Sequence, residues 1–199
     1  VEHKGSLDGL RLEACPEADA ALAPNEVRIS MRAAGVNFRD VLTPLGMYPG
    51  DATAIGLEGA GVVTAVGADV TALAPGDRVM GMFAGAFGPV AVADARMVVR
   101  IPKGWSFAEA ATVPIAYLTA YYALVDLGGL EPGESVLVHA AAGGVGSAAV
   151  QLARHLGADV YGTASPAKWD ALRAAGLDDA RTASSRDLGF EERLRTATH

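Results

Sequence analysis

The sequence has a single cysteine, Cys15, which excludes an intrachain disulfide and any zinc cluster built on cysteines. A reducing, cytoplasmic setting is therefore expected. No run approaches the roughly 18 apolar residues of a membrane span, and the opening Val1-Glu2-His3-Lys4 lacks the basic-then-apolar order of a signal peptide. Neither secretion nor membrane insertion is expected. Basic residues are outnumbered, 16 Lys and Arg against 23 Asp and Glu, and they form no cluster, so nucleic acid finds no complementary surface. The ligand to expect is small. Met is also missing from the first position, and the chain reads as a piece of a longer polypeptide.

What is present is enough apolar material for real cores: 199 residues, 51% of them hydrophobic. The first half predicts short strands over 27–31, 61–66, 78–82, 90–93 and 97–101, closely punctuated by Gly and Pro, with one short helix over 38–45. This spacing suits a compact, partly barrel-like β domain over residues 1–105. At Ser106 the character changes. Ser106-Phe107-Ala108-Glu109 has the form of a capping box, and helical apolar spacing continues over 118–127. Strand 135–139, helix 144–156, strand 159–163 and helix 166–175 then alternate, which predicts an α/β domain with a parallel sheet over 106–199.

Between the first strand and the first helix of that alternation lies Ala140-Ala141-Ala142-Gly143-Gly144-Val145-Gly146. It fits G-x-G-x-x-G with Ala141 in first place, and strand, turn and helix fall in the order a dinucleotide site requires. Gly143 lets the backbone approach a pyrophosphate, Gly146 lets helix and strand pack closely, and the helix N-terminus offers unpaired N–H groups; Ala142, Gly143, Gly144, Val145 and Gly146 are the candidate cradle. In NAD-binding proteins an acidic residue normally ends the second strand and bonds the ribose 2′-OH. Here that strand runs into Thr163-Ala164-Ser165-Pro166-Ala167-Lys168, which supplies hydroxyls and a cation where a 2′-phosphate would lie, so NADPH is expected rather than NADH. Ser165 as a plain helix cap with Lys168 as a solvated first-turn residue is the alternative.

Gly35-Val36-Asn37-Phe38-Arg39-Asp40, Gly56-Leu57-Glu58-Gly59-Ala60-Gly61-Val62-Val63, Pro75-Gly76-Asp77-Arg78-Val79 and the glycine turn, in this order, resemble the medium-chain dehydrogenase/reductase superfamily. Within it, Asn37-Phe38-Arg39-Asp40, Leu45-Gly46-Met47-Tyr48-Pro49-Gly50, Leu118-Thr119-Ala120-Tyr121-Tyr122-Ala123-Leu124 and Gly162-Thr163-Ala164-Ser165-Pro166 look like the enoylreductase domain of a bacterial modular polyketide synthase. The resemblance implies a GroES-like, partly β-barrel domain followed by a partial Rossmann parallel-sheet domain. It also implies hydride transfer from NADPH to the β-carbon of a trans-2-enoyl thioester on an acyl carrier protein, beside ketoreductase and dehydratase domains of the same polypeptide. The zinc ligands of alcohol dehydrogenases in this superfamily align with Asn37 and Leu57, and a leucine holds no zinc. A ketone is hard to polarise without a Lewis acid, whereas a conjugated enoyl thioester takes hydride at its β-carbon with the charge passing through the conjugation to the thioester oxygen.

By the same resemblance Tyr48 is the proton donor or its positioning group, Asn37 and Thr119 lie by the nicotinamide or substrate, and Arg186 is a second partner of the 2′-phosphate. Asn37 as a helix cap and Thr119 as a core residue are the competing readings. Arg39 and Asp40 are expected to pair at the start of their helix, and His139 to be structural. The resemblance covers the whole chain, yet members of the family continue through more strands, in which a Lys and an Asp proposed as acid/base groups and half the nicotinamide pocket would fall. A three-stranded half-sheet would expose an edge and an apolar face; either another chain completes it, or it belongs to a longer polypeptide. A free-standing NADPH quinone oxidoreductase and a catalytically inactive structural fragment are the alternatives in function.

Overall fold

The computed structural model describes residues 4–49 and 55–197. Residues 50–54, which include Gly50 of the Met-Tyr-Pro-Gly motif, lie outside the described residues. The chain divides into two compact units, Val1–Pro114 and Ile115–His199.

In the first unit five strands form one antiparallel sheet in the order β4-β1-β2-β3-β5: β1 Glu26–Ala34, β2 Glu58–Val66, β3 Arg78–Met82, β4 Val90–Asp94 and β5 Val98–Arg100. Alternation explains the core. Val27 and Ile29 on β1, Val79 on β3, and Ala91 and Ala93 on β4 face inward and meet Val63, Leu73, Phe83 and Val98. Register shifts between Arg28 and Ile29 and between Met31 and Ala33 mark where the β1–β2 ladder is irregular, as expected of a curling sheet. The Pro75-Gly76-Asp77 turn is fastened by Asp77, whose carboxylate accepts the Ala74 N–H at 2.8 Å and Arg100 at 2.7 Å. Those bonds, that to Arg100 first, hold its pKa below the usual carboxylate value.

Three expected elements are adjusted. Helix α1 spans Phe38–Leu42 rather than reaching 45, because Pro44 has no N–H with which to continue the ladder. The strand expected from Met97 begins at Val98, since Asp94 caps a 3₁₀ turn over Ala95–Met97 by accepting the Arg96 N–H at 2.9 Å. Helix α2, Phe107–Ala111, starts at the Ser106 capping box as read, but Phe107, Ala110 and Ala111 pack against Ala60, Ile101 and Met80 of the first unit. The compact units therefore meet one helix later than the change of composition at Ser106 suggests.

In the second unit β6 Ser135–Val138, β7 Asp159–Ala164 and β8 Thr182–Ser184 form a parallel sheet in the order β6-β7-β8. Helix α3, Pro114–Tyr121, begins with a proline where its missing N–H costs nothing, and runs into a π-helical turn over Tyr122–Leu127 instead of a uniform helix. Helix α4, Gly144–His155, crosses from β6 to β7, and α5, Trp169–Ala174, crosses from β7 to β8; α6 spans Gly189–Ala197. The core is built of small residues on α4 (Ala148, Ala149, Ala153) against Val138, Val160, Leu172 and Leu177. Strand β6 is paired on one side only, and Leu137 on it is 38% exposed. Among the described residues no helix is long and apolar enough to cross a membrane.

Candidate functional site

The glycine turn of the second unit is tied down at both ends. Ala141 N–H donates to the Thr163 carbonyl at 2.9 Å, and Gly143 N–H to the Ala140 carbonyl at 2.8 Å. Ala140 is the one non-glycine residue with positive φ among the described residues, at 50°. Beyond it the intrahelical ladder of α4 starts with Ser147 N–H on the Gly143 carbonyl at 2.8 Å. The N–H groups of Gly144, Val145 and Gly146 thus have no carbonyl behind them in the helix and point toward the turn's mouth. This is the end of a helix that favours an anion.

Beside the turn opens a cleft of about 290 Å³, lined by Ala140, Ala142, Gly143, Ala164, Ser165, Lys168, Ser185 and Arg186. Five expected residues, Ala142, Gly143, Ser165, Lys168 and Arg186, are thereby brought to one place. Two cations and two hydroxyls face it, and no carboxylate does. Ser165 stands at the N-cap of the 3₁₀ turn Pro166–Lys168, as the alternative reading had it, but its side chain makes no capping hydrogen bond. Ser185 was not singled out from the sequence. Its N–H donates to the Ala164 carbonyl at 3.1 Å and so lays the Ser-Ser-Arg segment along the end of β7.

One expected contributor lies elsewhere. Thr163 is fully buried, and its Oγ1 sits 3.1 Å from Nδ1 of His139. Its hydroxyl is therefore engaged with a neighbouring strand end rather than offered to the cleft, and only its carbonyl serves the turn. Thr119, whose expected place is the nicotinamide end and not this cleft, is exposed on α3. His139, in addition to Thr163, meets Phe190 edge-on at 5.1 Å between ring centres, the surroundings of a packing residue.

The first unit holds the other candidates. Asn37 is the N-cap of α1, as the competing reading had it, and forms a capping box with Asp40, whose carboxylate accepts its backbone N–H at 2.8 Å. The second oxygen of Asp40 accepts the Gly56 N–H at 2.8 Å, with the side chain buried. The expected Arg39–Asp40 pair does not form: neighbours in a helix point different ways, and Arg39 instead lies over the Tyr48 ring, 4.8 Å from its centre. Asn37 turns its Nδ2 to Glu58 Oε1 at 2.9 Å. Glu58 opens β2 and is only 4% exposed. Sequence reasoning passed over it, although it is the only charge in Ile55-Gly56-Leu57-Glu58-Gly59-Ala60-Gly61-Val62-Val63. A lone acid in a run of small apolar residues was the available signal.

Residues 23–103 match the alcohol dehydrogenase GroES-like domain. Over 190 residues the chain is 62% identical to the spectinabilin polyketide synthase system protein NorB of Streptomyces orinoci, a match that covers 96% of this chain and 9% of NorB. Among solved structures, the CurK enoyl reductase superposes with a TM-score of 0.89 at 38% identity, covering 100% of this chain and 62% of that one. The Escherichia coli quinone oxidoreductase complexed with NADPH gives a TM-score of 0.78 at 35% identity, over 94% of this chain and 57% of that one. The chain thus spans under two thirds of the reductases and less than a tenth of the synthase.

Proposed function

This chain belongs to the medium-chain dehydrogenase/reductase superfamily, as an enoylreductase segment of the modular polyketide-synthase type, and from that premise we propose that it serves hydride transfer from NADPH to an acyl-carrier-protein-bound trans-2-enoyl thioester. The observation that carries the cofactor assignment is the cleft that joins Lys168 and Arg186 to the glycine turn without an acid. A 2′-phosphate there would be held by Lys168, Arg186 and the hydroxyls of Ser165 and Ser185, and a pyrophosphate by the open N–H groups of α4. When bound, NADPH supplies the hydride for the β-carbon.

The chain's own residues then deal with the charge and the proton. Charge passing to the thioester oxygen is relieved by protonation at the α-carbon, a step for a positioned acid. Tyr48 is assigned that proton or its placement, with Arg39 over the ring limiting where the phenol can point. Asn37 is assigned a hydrogen bond to the nicotinamide or substrate through the part of its amide that Glu58 does not hold, and Thr119 a place at the nicotinamide end. An enoyl thioester arises by dehydration of a β-hydroxyacyl thioester, itself the product of ketoreduction. Ketoreductase and dehydratase domains of the same polypeptide are the proposed suppliers.

The reading is tested with the intact parent domain, NADPH, and either crotonyl-pantetheine thioester or a quinone. Oxidation of NADPH by the thioester is expected; oxidation by the quinone alone would assign the chain to the quinone oxidoreductases instead. Lys168→Ala is expected to weaken NADPH binding about tenfold, the loss of one charge-assisted hydrogen bond, and to leave NADH binding unchanged. Calorimetry with both cofactors reads this directly, and equal losses for the two would remove Lys168 from the 2′-phosphate site. No NADPH binding by a folded wild-type domain favours the structural-fragment reading. Tyr48→Val is expected to change the configuration at an α-methyl-branched product carbon, scored by chiral chromatography; an unchanged configuration takes Tyr48 out of the protonation step.

A further inference from the structure

We propose that Glu58 is a positioning residue for this reaction, acting through Asn37; the inference rests on the enoylreductase reading above. Burying a carboxylate is unfavourable unless hydrogen bonds compensate it, and Glu58 is nevertheless 4% exposed at the start of β2. The chain makes room for it at a specific point. A Cβ on Gly35 would lie 2.4 Å from Glu58 Oε1 and 2.6 Å from its Cγ, so only glycine at 35 lets this carboxylate stand where it does.

From that position the acid decides the orientation of a neighbouring amide. A carboxylate only accepts, so the half of the Asn37 side chain that faces it at 2.9 Å is the nitrogen. The main chain of the same residue is held by a second buried acid, Asp40, at 2.8 Å. Asn37 is thus gripped by two buried acids, at its side chain by β2 and at its backbone by α1. An apolar residue at 58 would fill the space without the desolvation of a charge, but it could not select one face of the Asn37 amide. Glu58 sets the direction in which Asn37 presents its remaining hydrogen-bonding groups, and it does so without touching substrate.

The test uses single-turnover oxidation of NADPH by crotonyl-pantetheine thioester in the complete polypeptide that carries this chain. Glu58→Leu is expected to slow hydride transfer about tenfold to a hundredfold, the cost of a misplaced active-site group. Glu58→Gln keeps an oxygen within reach of Nδ2 and is expected to restore the rate to within about threefold of wild type, since the accepting interaction survives. In an Asn37→Ala background Glu58→Leu is expected to have no further effect, because the two residues act as one unit. Glu58→Met, which fills similar space without offering an acceptor, is expected to behave as Glu58→Leu does in both backgrounds, and it carries the comparison if the leucine variant does not fold.

Equal losses with and without Asn37, or a glutamine variant as slow as the leucine one, would overturn the inference and leave Glu58 a packing residue. A wild-type protein that does not oxidise NADPH with the enoyl thioester overturns the enoylreductase reading itself.

Discussion

Gly146→Ala is expected to weaken NADPH binding about tenfold to a hundredfold, the effect of forcing a methyl into a closed contact, while Gly144→Ala is accepted. At 146 an added Cβ would lie 2.2 Å from the Ala140 carbonyl oxygen and 2.8 Å from both the Ala140 carbon and the Ala141 Cα. All three are backbone atoms, so no side chain can swing away. The backbone cannot yield easily either, because the Ala140 carbonyl is held by Gly143 N–H and the next amide by the Thr163 carbonyl. Ala140 already stands in the left-handed region, which costs an alanine about 1 kcal/mol. Relief must come from lifting α4 off β6, and that moves the N–H groups on which the pyrophosphate would sit. At Gly144 a Cβ meets nothing within 4 Å. Alanine there replaces a glycine in the first helical position and gains up to about 1 kcal/mol of helix propensity. Calorimetric titration with NADPH and thermal melts of both variants check the contrast, and Gly146→Ala binding as tightly as Gly144→Ala would show that the turn adapts.

The turn was legible because three requirements coincide in seven residues: a strand ending, glycines at set spacing, and small residues opening a helix. What the sequence could not convey was the direction of individual side chains at strand ends. Thr163 and Ser165 both carry hydroxyls near the end of β7, two residues apart. Local sequence does not reveal that Thr163 is taken by His139 while Ser165 faces the cleft. Ser185 depends on the Ala164 carbonyl, some twenty residues away in the chain, to bring it alongside. The first unit shows the same limit in another form. Asp40 and Arg39 are adjacent and oppositely charged, yet their partners are Gly56 N–H and the Tyr48 ring, contacts set by where the residues leading into β2 and those following α1 arrive. Helix starts at Ser106 and Gly144 are local capping and turn chemistry and were placed well. The unit division at Pro114 depends on what α2 packs against, which is a tertiary matter.

Asp40→Asn should be almost as damaging as Asp40→Ala, although it preserves size and shape. Asp40 uses both carboxylate oxygens as acceptors, one for Asn37 N–H and one for Gly56 N–H, each at 2.8 Å and with the side chain 5% exposed. An asparagine amide has one accepting oxygen. Whichever backbone N–H takes it, the other meets an NH₂ group, donor against donor, in a site that is buried at Gly56 and half-buried at Asn37. Alanine leaves both N–H groups without an acceptor. Each lost charge-assisted bond, with its donor left buried, costs on the order of 2 kcal/mol, so the first unit is expected to lose about 2–5 kcal/mol, or on the order of 10–20 °C in Tm for a unit of this size. Conservation of shape is therefore no protection where the requirement is two acceptors. Because Gly56 leads into β2 and Glu58, and Asn37 leads into α1, release of these two amides also loosens the Asn37–Glu58 contact from both sides. Hydrogen exchange resolves the effect locally: peptides carrying Asn37 and Gly56 should lose protection together in both variants, while those from β7 and α4 keep theirs. An Asp40→Asn variant that melts with wild type and keeps both amides protected would show that water, rather than the carboxylate, satisfies one of them.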